Sequence, residues 1–410
     1  GLTNLSLGEN FNTENVTNMA HLFSGCESLQ SLDLGENFDT RNVTDMDSMF
    51  YRCVSLQSLD LKENFSTAAV TNMHAMFSNC ESLMRLELDE NFDTANVTNM
   101  GAMFSGCHML NDLIFSKNFL TTNATDMSQM FSECWTLNGI DLSGFDTAKV
   151  TNMNAMFYRC WALETLDLSR FDTAQVTDIG AMFSDCTGLT QLDVSTFDTA
   201  RVTNLNAVFF NCSSLTSLTL GDKFDISSVA QMSSAFANCR NLETIDGALR
   251  FGANSPLIAL EDTFANCRAL ERVIFETPQS GTRFERLSTM KGLFSQCNSL
   301  QSVDLSGWSL PNLTNVNQMF SGCSGIQTID MSWRGLRAKA SDFSQIAMFD
   351  GVPQDAVLEI GSDTSENSQE VLSAIAAKFP GSVTVNGEVT EFESEQIADV
   401  PEIPQEPEQQ

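Results

Sequence analysis

CESLQSLDLGENFDTRNVTDMDSMFYRC, residues 26–53, is the stretch that decides the fold. It begins and ends on a cysteine, and close copies of it fill most of the 410 residues. Each of the 12 cysteines follows a phenylalanine by three residues, and successive cysteines lie 26–30 residues apart. A repeat of this length is typical of solenoids, in which each unit contacts only its neighbours. We therefore predict one tandem array in place of the several globular domains that the length alone suggests.

The first half of each unit has the spacing of a strand. In residues 26–53, Leu29, Leu32 and Leu34 fall three, six and eight residues after the cysteine. This L-x-x-L-x-L pattern ends in an alternation of apolar and polar residues, which predicts a short strand with one buried face.

The second half of the unit has the spacing of a helix. Val43, Met46 and Met49 recur every three residues, which predicts one apolar stripe on a short helix or 3₁₀ segment. Asp39 or Thr40, in the FDT turn, is placed to cap that segment. One short strand and one short helical turn per 26–27-residue unit predict a right-handed α/β leucine-rich-repeat solenoid, with its parallel strands in one long ribbon.

The register of the repeat divides the chain into three parts. Residues 1–352 are predicted to form the solenoid, with irregular units over 240–297. Residues 353–387 are predicted to form a small C-terminal cap, and residues 388–410 an acidic, proline-containing tail or linker. The irregular units supply seven of the 21 basic residues, which are Arg240, Arg250, Arg268, Arg272, Arg283, Arg286 and Lys291.

The charge balance excludes some partners. A formal net charge of -32 argues against nucleic acid and against unassisted docking on an anionic membrane. No run approaches the roughly 18 apolar residues of a membrane span, so we expect no direct membrane insertion of this chain. A cationic partner, or only the need to stay dispersed in water, explains the excess of acids.

The cysteines invite a disulfide or metal site, and their spacing argues against both. No Cys-x-x-Cys pair is present, and the ligand spacings of a zinc site are missing. Equivalent cysteines of stacked units would lie about 4.8 Å apart with parallel Cβ vectors, whereas a disulfide needs about 3.8 Å between Cβ atoms. We predict buried free thiols that pack as small apolar groups.

The repeat resembles that of the BspA-like leucine-rich repeat surface proteins, which includes a repeat noted in mycoplasma lipoproteins. The resemblance covers about residues 2–331 and implies a bacterial surface protein without catalytic residues. It also implies an exported protein, anchored by a segment outside this chain and used for adhesion to host proteins or other cells. One unit carries the motif at Thr147, Val150, Thr151, Asn152, Met153, Met156, Phe157 and Cys160.

An acidic row is predicted on the outward face of the strands, seven residues after each cysteine. Like charges about 5 Å apart repel unless water, cations or neighbouring hydroxyls relieve them. The row is consistent with an acidic track for basic protein segments, with weak calcium binding, or with solvated surface polarity. Its members are Asp33, Asp60, Glu87, Asp141, Asp167, Asp193, Asp246, Asp304 and Asp330.

Aromatic residues interrupt two otherwise polar positions. Directly after the cysteine stand Trp135 and Trp161, with His108 in the unit before; directly after the phenylalanine stand Tyr158 and Phe210. Equivalent positions of neighbouring units lie side by side in a solenoid, so these rings are candidates for an aromatic patch that binds a ligand. The alternative is that each ring covers only the turn of its own unit.

No catalytic motif accompanies these features. The three histidines fall at different places in their units, and no G-x-S-x-G or H-E-x-x-H motif occurs. We predict no enzyme activity, no cofactor and no metal centre. The expected function is a cell-surface adhesion module that recognises host or other-cell proteins through an extended acidic surface. The alternatives are a passive stalk that displays another domain, or a glycan-binding surface protein.

Overall fold

Each repeat unit forms one coil, and the coils stack side by side. The computed structural model describes residues 1–8, 10–343, 347–361 and 366–390. A continuous row of parallel backbone bridges joins twelve successive coils at the position before the first methionine of the turn half. The row runs through Asn18, Asp45, Asn72, Asn99, Asp126, Asn152, Asp178, Asn204, Gln231, Ala259, Thr289 and Asn315.

Short strands line the opposite side of many coils. They pair in parallel with leucine facing leucine, as at Leu5 and Leu32, so the apolar residues form rows in the core. The described residues contain β1 (Asn4–Ser6), β2 (Ser31–Asp33), β3 (Arg85–Leu88), β4 (Asp112–Phe115), β5 (Gln191–Asp193), β6 (Ser217–Thr219), β7 (Thr244–Asp246), β8 (Leu249–Arg250), β9 (Phe275–Glu276), β10 (Thr282–Arg283), β11 (Ser302–Asp304), β12 (Trp308–Ser309), β13 (Thr328–Asp330), β14 (Val357–Ile360), β15 (Ser382–Val385) and β16 (Glu388–Thr390).

The predicted single ribbon is interrupted. The strands form six separate sheets, ordered β1-β2, β3-β4, β5-β6-β7, β8-β9, β10-β12 and β11-β13-β14-β15-β16. Residues 57–61, 137–142 and 163–168 occupy strand positions in their coils and yet form no strand. The leucine spacing therefore predicted where the coil runs straight, whereas the continuous backbone ladder lies on the turn side.

The predicted helical segment is instead a succession of tight turns. The N–H of Ser48 donates to the carbonyl of His74 in the next coil at 2.8 Å, whereas the N–H of Met49 donates back to Met46 at 3.3 Å. This alternation continues to Cys53. A helix would keep all of these bonds within one segment. Here half of the backbone N–H groups donate to carbonyls of the neighbouring coil.

Two left-handed residues per coil prevent a helix from forming. Ser48 has φ 53° and Arg52 has φ 58°, and the same two positions are left-handed in each coil from His21 to Gly322. A left-handed residue costs a non-glycine about 1–2 kcal/mol. The inter-coil hydrogen bonds made at these positions offset that cost.

The residues expected to cap a helix have other roles. Thr40 Oγ1 donates to the carbonyl of Ser66 in the next coil at 2.6 Å. One carboxylate oxygen of Asp39 accepts the N–H of Arg41 at 3.0 Å, which closes a local turn. The cap assignment is wrong, because the segment after these residues is not a helix.

Two columns of stacked phenylalanines fill the core. One column runs from Phe23 to Phe349, with ring centroids of successive coils 4.9–6.0 Å apart. The other runs from Phe11 to Phe145, with centroids 5.8–6.4 Å apart. Offset stacking of this kind adds to the free energy gained from burying each ring.

The thiols lie beside the first column, free and buried as predicted, although Cys26 in the first coil is partly exposed. Cys53 Sγ donates to the carbonyl of Phe23 in the preceding coil at 3.3 Å, and the later cysteines repeat this bond at 3.0–3.3 Å. Burial raises the pKa of the Cys107 thiol to about 12. These groups are therefore neutral packing elements and not nucleophiles.

The C-terminal part closes the array. Strand β14 pairs in parallel with β13, and β15 continues this sheet. A 3₁₀ helix (Ala340–Phe343) and α1 (Glu366–Ala376) lie beside it, with Val371, Leu372 and Ile375 of α1 buried. Strand β16 pairs antiparallel with β15, so Glu388–Thr390 extends the cap into the stretch assigned to the tail. Residues 391–410 lie outside the described residues.

None of the helices in the described ranges is both long and apolar enough to cross a membrane.

Candidate functional site

Three rings from adjacent coils form one stack, here called the ring stack: His108, Trp135 and Trp161. The ring centroids of His108 and Trp135 lie 3.5 Å apart and those of Trp135 and Trp161 lie 4.7 Å apart, with interplanar angles of 7° and 15°. Of the two arrangements that the sequence left open, the structure has the one in which these side chains meet. The rings stack across coils and do not each cover only their own turn.

The repeat itself positions the ring stack. Each ring directly follows a core cysteine, and the backbone between adjacent coils is tied here, since Ala162 N–H donates to the carbonyl of Trp135 at 3.2 Å. The stack ends in solvent, because Trp161 is 42% exposed. The side chain of His108, at the other end, is 16% exposed. The most exposed ring of the stack is therefore the indole of Trp161.

A charged row runs alongside the ring stack, at the position directly before each cysteine. Arg159 donates to Glu133 at 3.0 Å and lies 3.8 Å from Asp185. Its guanidinium carbon lies 4.9 Å from the ring centroid of Tyr158, within the range of a cation–π contact. Tyr158 thus joins the site through Arg159, which is bordered by carboxylates on both sides.

Two carboxylates flank the imidazole of His108. Glu81 lies 3.7 Å from Nδ1, and Glu133 lies 3.8 Å from Nε2. Neither distance is short enough for a hydrogen bond. Within the described residues, His108 Nε2 and Trp135 Nε1 are both buried without a hydrogen-bond partner. A buried polar atom without a partner is costly, so these two nitrogens reduce the stability of this edge.

Exposed apolar side chains lie on the same coils. Met109 follows His108 in the chain and is 47% exposed, and Met84 in the preceding coil is 46% exposed. Ile114 is 37% exposed and occupies the position that holds an acid in most coils. Met109 and Ile114 therefore place apolar surface on a coil of the ring stack, and other exposed apolar side chains, such as Ile258 and Ile274, lie elsewhere in the array.

Phe210 does not join the ring stack. It belongs to the coil of Cys212, two coils beyond Trp161, and is partly buried. Among the ring contacts of the described residues, none links Phe210 to His108, Trp135 or Trp161. The patch is thus smaller than the sequence predicted.

The acidic row lies on the strand side of the coils. Asp141, Asp167 and Asp193 are exposed, and each accepts the N–H of the serine two residues later at 2.8–2.9 Å. Hydrogen bonds from the Ser143 hydroxyl and N–H hold the pKa of Asp141 below its usual value. Ser169 lowers the pKa of Asp167 in the same way. The carboxylates thus stay charged, and in the described residues no hydrogen bond or ion pair joins them to the ring stack.

The sequence interpretation missed one cluster. His21 Nε2 lies 3.3 Å from one oxygen of Asp47, and His74 Nδ1 lies 3.0 Å from the other. His74 and Asp47 share one repeat position, and His21 stands one position later in its coil, so a search for a row of histidines passes over them. The described ranges hold no group of three or more His, Cys, Asp or Glu side chains placed to bind a metal ion.

The repeat matches a known family over most of its length. The family described as "Mycoplasma protein of unknown function, DUF285" matches residues 3–114, 86–166, 125–248 and 254–354. This chain belongs to the DUF285 family. The match confirms the resemblance to the BspA-like leucine-rich repeat proteins, because it covers the same repeat that carries the resemblance.

One solved structure with a TM-score above 0.5 shows the same fold as this DUF285 chain. A leucine-rich repeat protein from Bacteroides ovatus ATCC 8483 is 16% identical, with a TM-score of 0.56, over 94% of this chain and 84% of that chain. A leucine-rich cell surface protein from Faecalibacterium prausnitzii A2-165 is 19% identical, with a TM-score of 0.40, over 85% of this chain and 82% of that one. No curated protein matches the sequence at a significant level. The chain is therefore a leucine-rich-repeat solenoid.

Proposed function

We propose that this chain is a non-enzymatic binding module of a bacterial cell surface, and that the ring stack anchors a protein ligand from a host or another cell. The observation that carries the proposal is the stack itself, with Trp161 exposed at its end. Aromatic side chains are enriched among the residues that dominate binding energy at interfaces. Most other coils hold a polar residue at this position, such as Thr187 or Ser213, so a coil of this array forms without a ring there.

The charges around the ring stack suggest the chemistry of the ligand. Glu81 and Glu133 flank the imidazole, and the chain as a whole carries a formal net charge of -32. A basic segment of a partner would be attracted by this field, and an arginine of that segment can stack on the indole of Trp161. The acidic row provides attraction over a long distance, and the ring stack provides the local contact.

The test is binding of the chain to a panel of immobilised host matrix proteins. For a ligand that the unchanged chain binds, Trp135→Ala combined with Trp161→Ala should weaken binding at least tenfold, because two rings leave the contact. Ser213→Ala, at the same repeat position two coils beyond Trp161, is the matched control and should leave binding unchanged. Binding that survives the double substitution would contradict the role of the ring stack.

Salt and glycan measurements separate the alternatives. Raising NaCl should weaken binding to a basic protein ligand, because exposed charges separated by more than about 10 Å are screened at 0.1 M salt. Binding to a glycan array that also depends on Trp161 would favour glycan recognition. A chain that binds neither proteins nor glycans would favour the passive stalk.

A further inference from the structure

A polar groove lies far from the ring stack, where three coils meet next to β10 and β12. Its volume is about 590 Å³, and a second hollow of about 360 Å³ continues it. Both are lined by Gly281, Gly307 and Arg334, so they form one surface that we call the Arg334 groove. Small-molecule sites have volumes of roughly 300–1,000 Å³.

Glycine backbone keeps the Arg334 groove open. Gly281 has φ 78° and Gly307 has φ 73°, both in the left-handed region that favours glycine. A Cβ atom on Gly281 would lie 2.3 Å from the carbonyl oxygen of Gly307 and 3.5 Å from Nη2 of Arg334. The guanidinium therefore sits beside bare backbone, where no side chain can compete with a ligand.

Arg334 has no acidic partner among the described residues. Its neighbours in the irregular coils do: Arg283 contacts Glu285 at 2.6 Å, and Arg250 contacts Glu276 at 2.8 Å. The side chain of Arg334 is exposed, in a chain with 53 acids against 21 bases. An exposed guanidinium without an acidic partner can bind the carboxylate of a ligand through two parallel hydrogen bonds.

Unpaired buried polar atoms gather under the same surface. The described part of the chain has five such side-chain atoms, and two of them belong to the ring stack. The other three are Thr282 Oγ1, Trp308 Nε1 and Trp333 Nε1. Thr282 and Trp333 line the groove, and Trp308 lies opposite Thr282 in the pairing of β10 with β12. These three atoms are closed to solvent, so the polar contacts open to a ligand are those of the exposed lining residues.

We infer that the Arg334 groove binds a glycan through a sugar residue that carries one carboxylate. Arg334 would hold the carboxylate, and the hydroxyl-bearing lining residues Thr277, Ser306 and Ser332 suit the hydroxyls of the sugar ring. This site is separate from the ring stack and does not depend on the function proposed for it.

An acidic peptide fits the groove less well than such a sugar. Asp304 and Asp330 stand two residues before Ser306 and Ser332, and each accepts the serine N–H at 2.8–2.9 Å. The negative charges of Asp304 and Asp330 would repel a peptide that carries several carboxylates. A sugar with one carboxylate can place that group at Arg334 and its uncharged hydroxyls near the two aspartates.

The test compares a disaccharide ending in glucuronic acid with its glucose counterpart by isothermal titration calorimetry on the whole chain. The acidic disaccharide should bind and the neutral one should bind at least tenfold more weakly. Arg334→Gln should weaken binding of the acidic disaccharide by roughly ten- to a hundredfold, as expected for the loss of a charge-assisted hydrogen bond.

Arg268→Gln is the matched control, because it removes the same charge from an exposed arginine of the irregular coils that does not line the groove. It should leave binding unchanged, as should Trp161→Ala in the ring stack. The inference would be overturned by equal binding of the two disaccharides, by no binding of either, or by equal losses in the two glutamine variants. It would also be overturned if a short Asp/Glu peptide displaced the acidic disaccharide as effectively as free acidic disaccharide does.

Discussion

A single threonine links each regular coil to the next. Thr147 is 1% exposed, and its hydroxyl both donates to the carbonyl of Asp172 and accepts the N–H of Asp172, each at 2.8 Å. The equivalent threonines, from Thr13 to Thr199, repeat the bond to the next carbonyl. One hydroxyl thus satisfies two backbone groups that would otherwise lie unpaired between coils.

Thr147→Val keeps the shape of the side chain and removes both bonds. We expect a loss of about 2 kcal/mol in the free energy of unfolding, because two backbone groups lose their partner. Urea denaturation followed by circular dichroism measures it. Thr151→Val is the control in the same coil, since Thr151 is exposed and its backbone N–H also donates to the carbonyl that its hydroxyl contacts. Equal losses in the two variants would contradict this role.

The buried thiols predict a sensitivity to alkaline pH. Burial raises the pKa of the thiols of Cys53, Cys107 and Cys323 to about 12, from an ordinary value of 9.0. The thiols of the folded chain therefore stay protonated at a pH where those of the unfolded chain ionise. The free energy of unfolding falls as pH rises from about 9 towards 12. Thermal unfolding should show a falling Tm between pH 8 and pH 10.5.

Replacing one thiol provides the control for this pH effect. Cys107→Ala should lower the Tm at pH 8, because it leaves a cavity, and should reduce the steepness of the fall at higher pH. A Tm that stays constant from pH 8 to pH 10.5 would show that thiol ionisation does not limit stability.

At this scale the sequence predicted which residues meet, but not what they do there. The position after the cysteine was enough to bring His108, Trp135 and Trp161 together. Of the flanking carboxylates, Glu81 stands directly after its cysteine, at the same repeat position as His108, so the register also places it beside the imidazole. Glu133 stands directly before its cysteine. Contacts between unlike positions depend on how side chains lean between coils, and a one-dimensional register does not contain that information.

The turn half of the coil is the element that the sequence described least well. A spacing of three suits a 3₁₀ helix and equally suits successive turns that place one residue in three against the core. The first left-handed residue of each coil is often alanine, as at Ala155, and its identity gave no signal for the turns. The second is glycine or asparagine in seven of the twelve coils, as at Gly106 and Asn79, and these residue types favour a left-handed conformation. That signal lies outside the apolar spacing from which the helix was predicted.

Ala155→Val tests the left-handed conformation. A β-branched residue is a steric outlier at φ 54°, so we expect a loss of about 2 kcal/mol in the free energy of unfolding. Ala148→Val is the control, because Ala148 lies in the same coil, is exposed and is not left-handed. Chemical denaturation of the two variants compares them. A segment that became helical in solution would tolerate both changes equally.

Over the whole molecule, the acidic charge is expected to oppose folding. The acidic row stays ionised, since hydrogen bonds lower the pKa of Asp33, Asp60, Asp141 and Asp167. Like charges repeated at the spacing of the coils repel one another, and salt screens this repulsion. The Tm should therefore rise by several degrees between 10 mM and 500 mM NaCl.

A variant separates this screening from general salt effects. Asp141→Asn combined with Asp167→Asn should raise the Tm at 10 mM NaCl and reduce its rise with salt, because two neighbouring charges are removed while the serine N–H groups keep an acceptor. A Tm that is independent of salt in the unchanged chain would exclude repulsion along the row as a significant cost.

The backbone ladder of the turn side has a mechanical consequence. Its hydrogen bonds join coil to coil and therefore lie along the length of the array. A pull on the two ends loads every interface with the same force, so the coils detach one at a time, and each coil that detaches lengthens the chain from about 4.8 Å to about 90 Å for a 26-residue unit. An array built in this way would lengthen coil by coil under tension, and each coil that detaches would lower the force on the coils that remain.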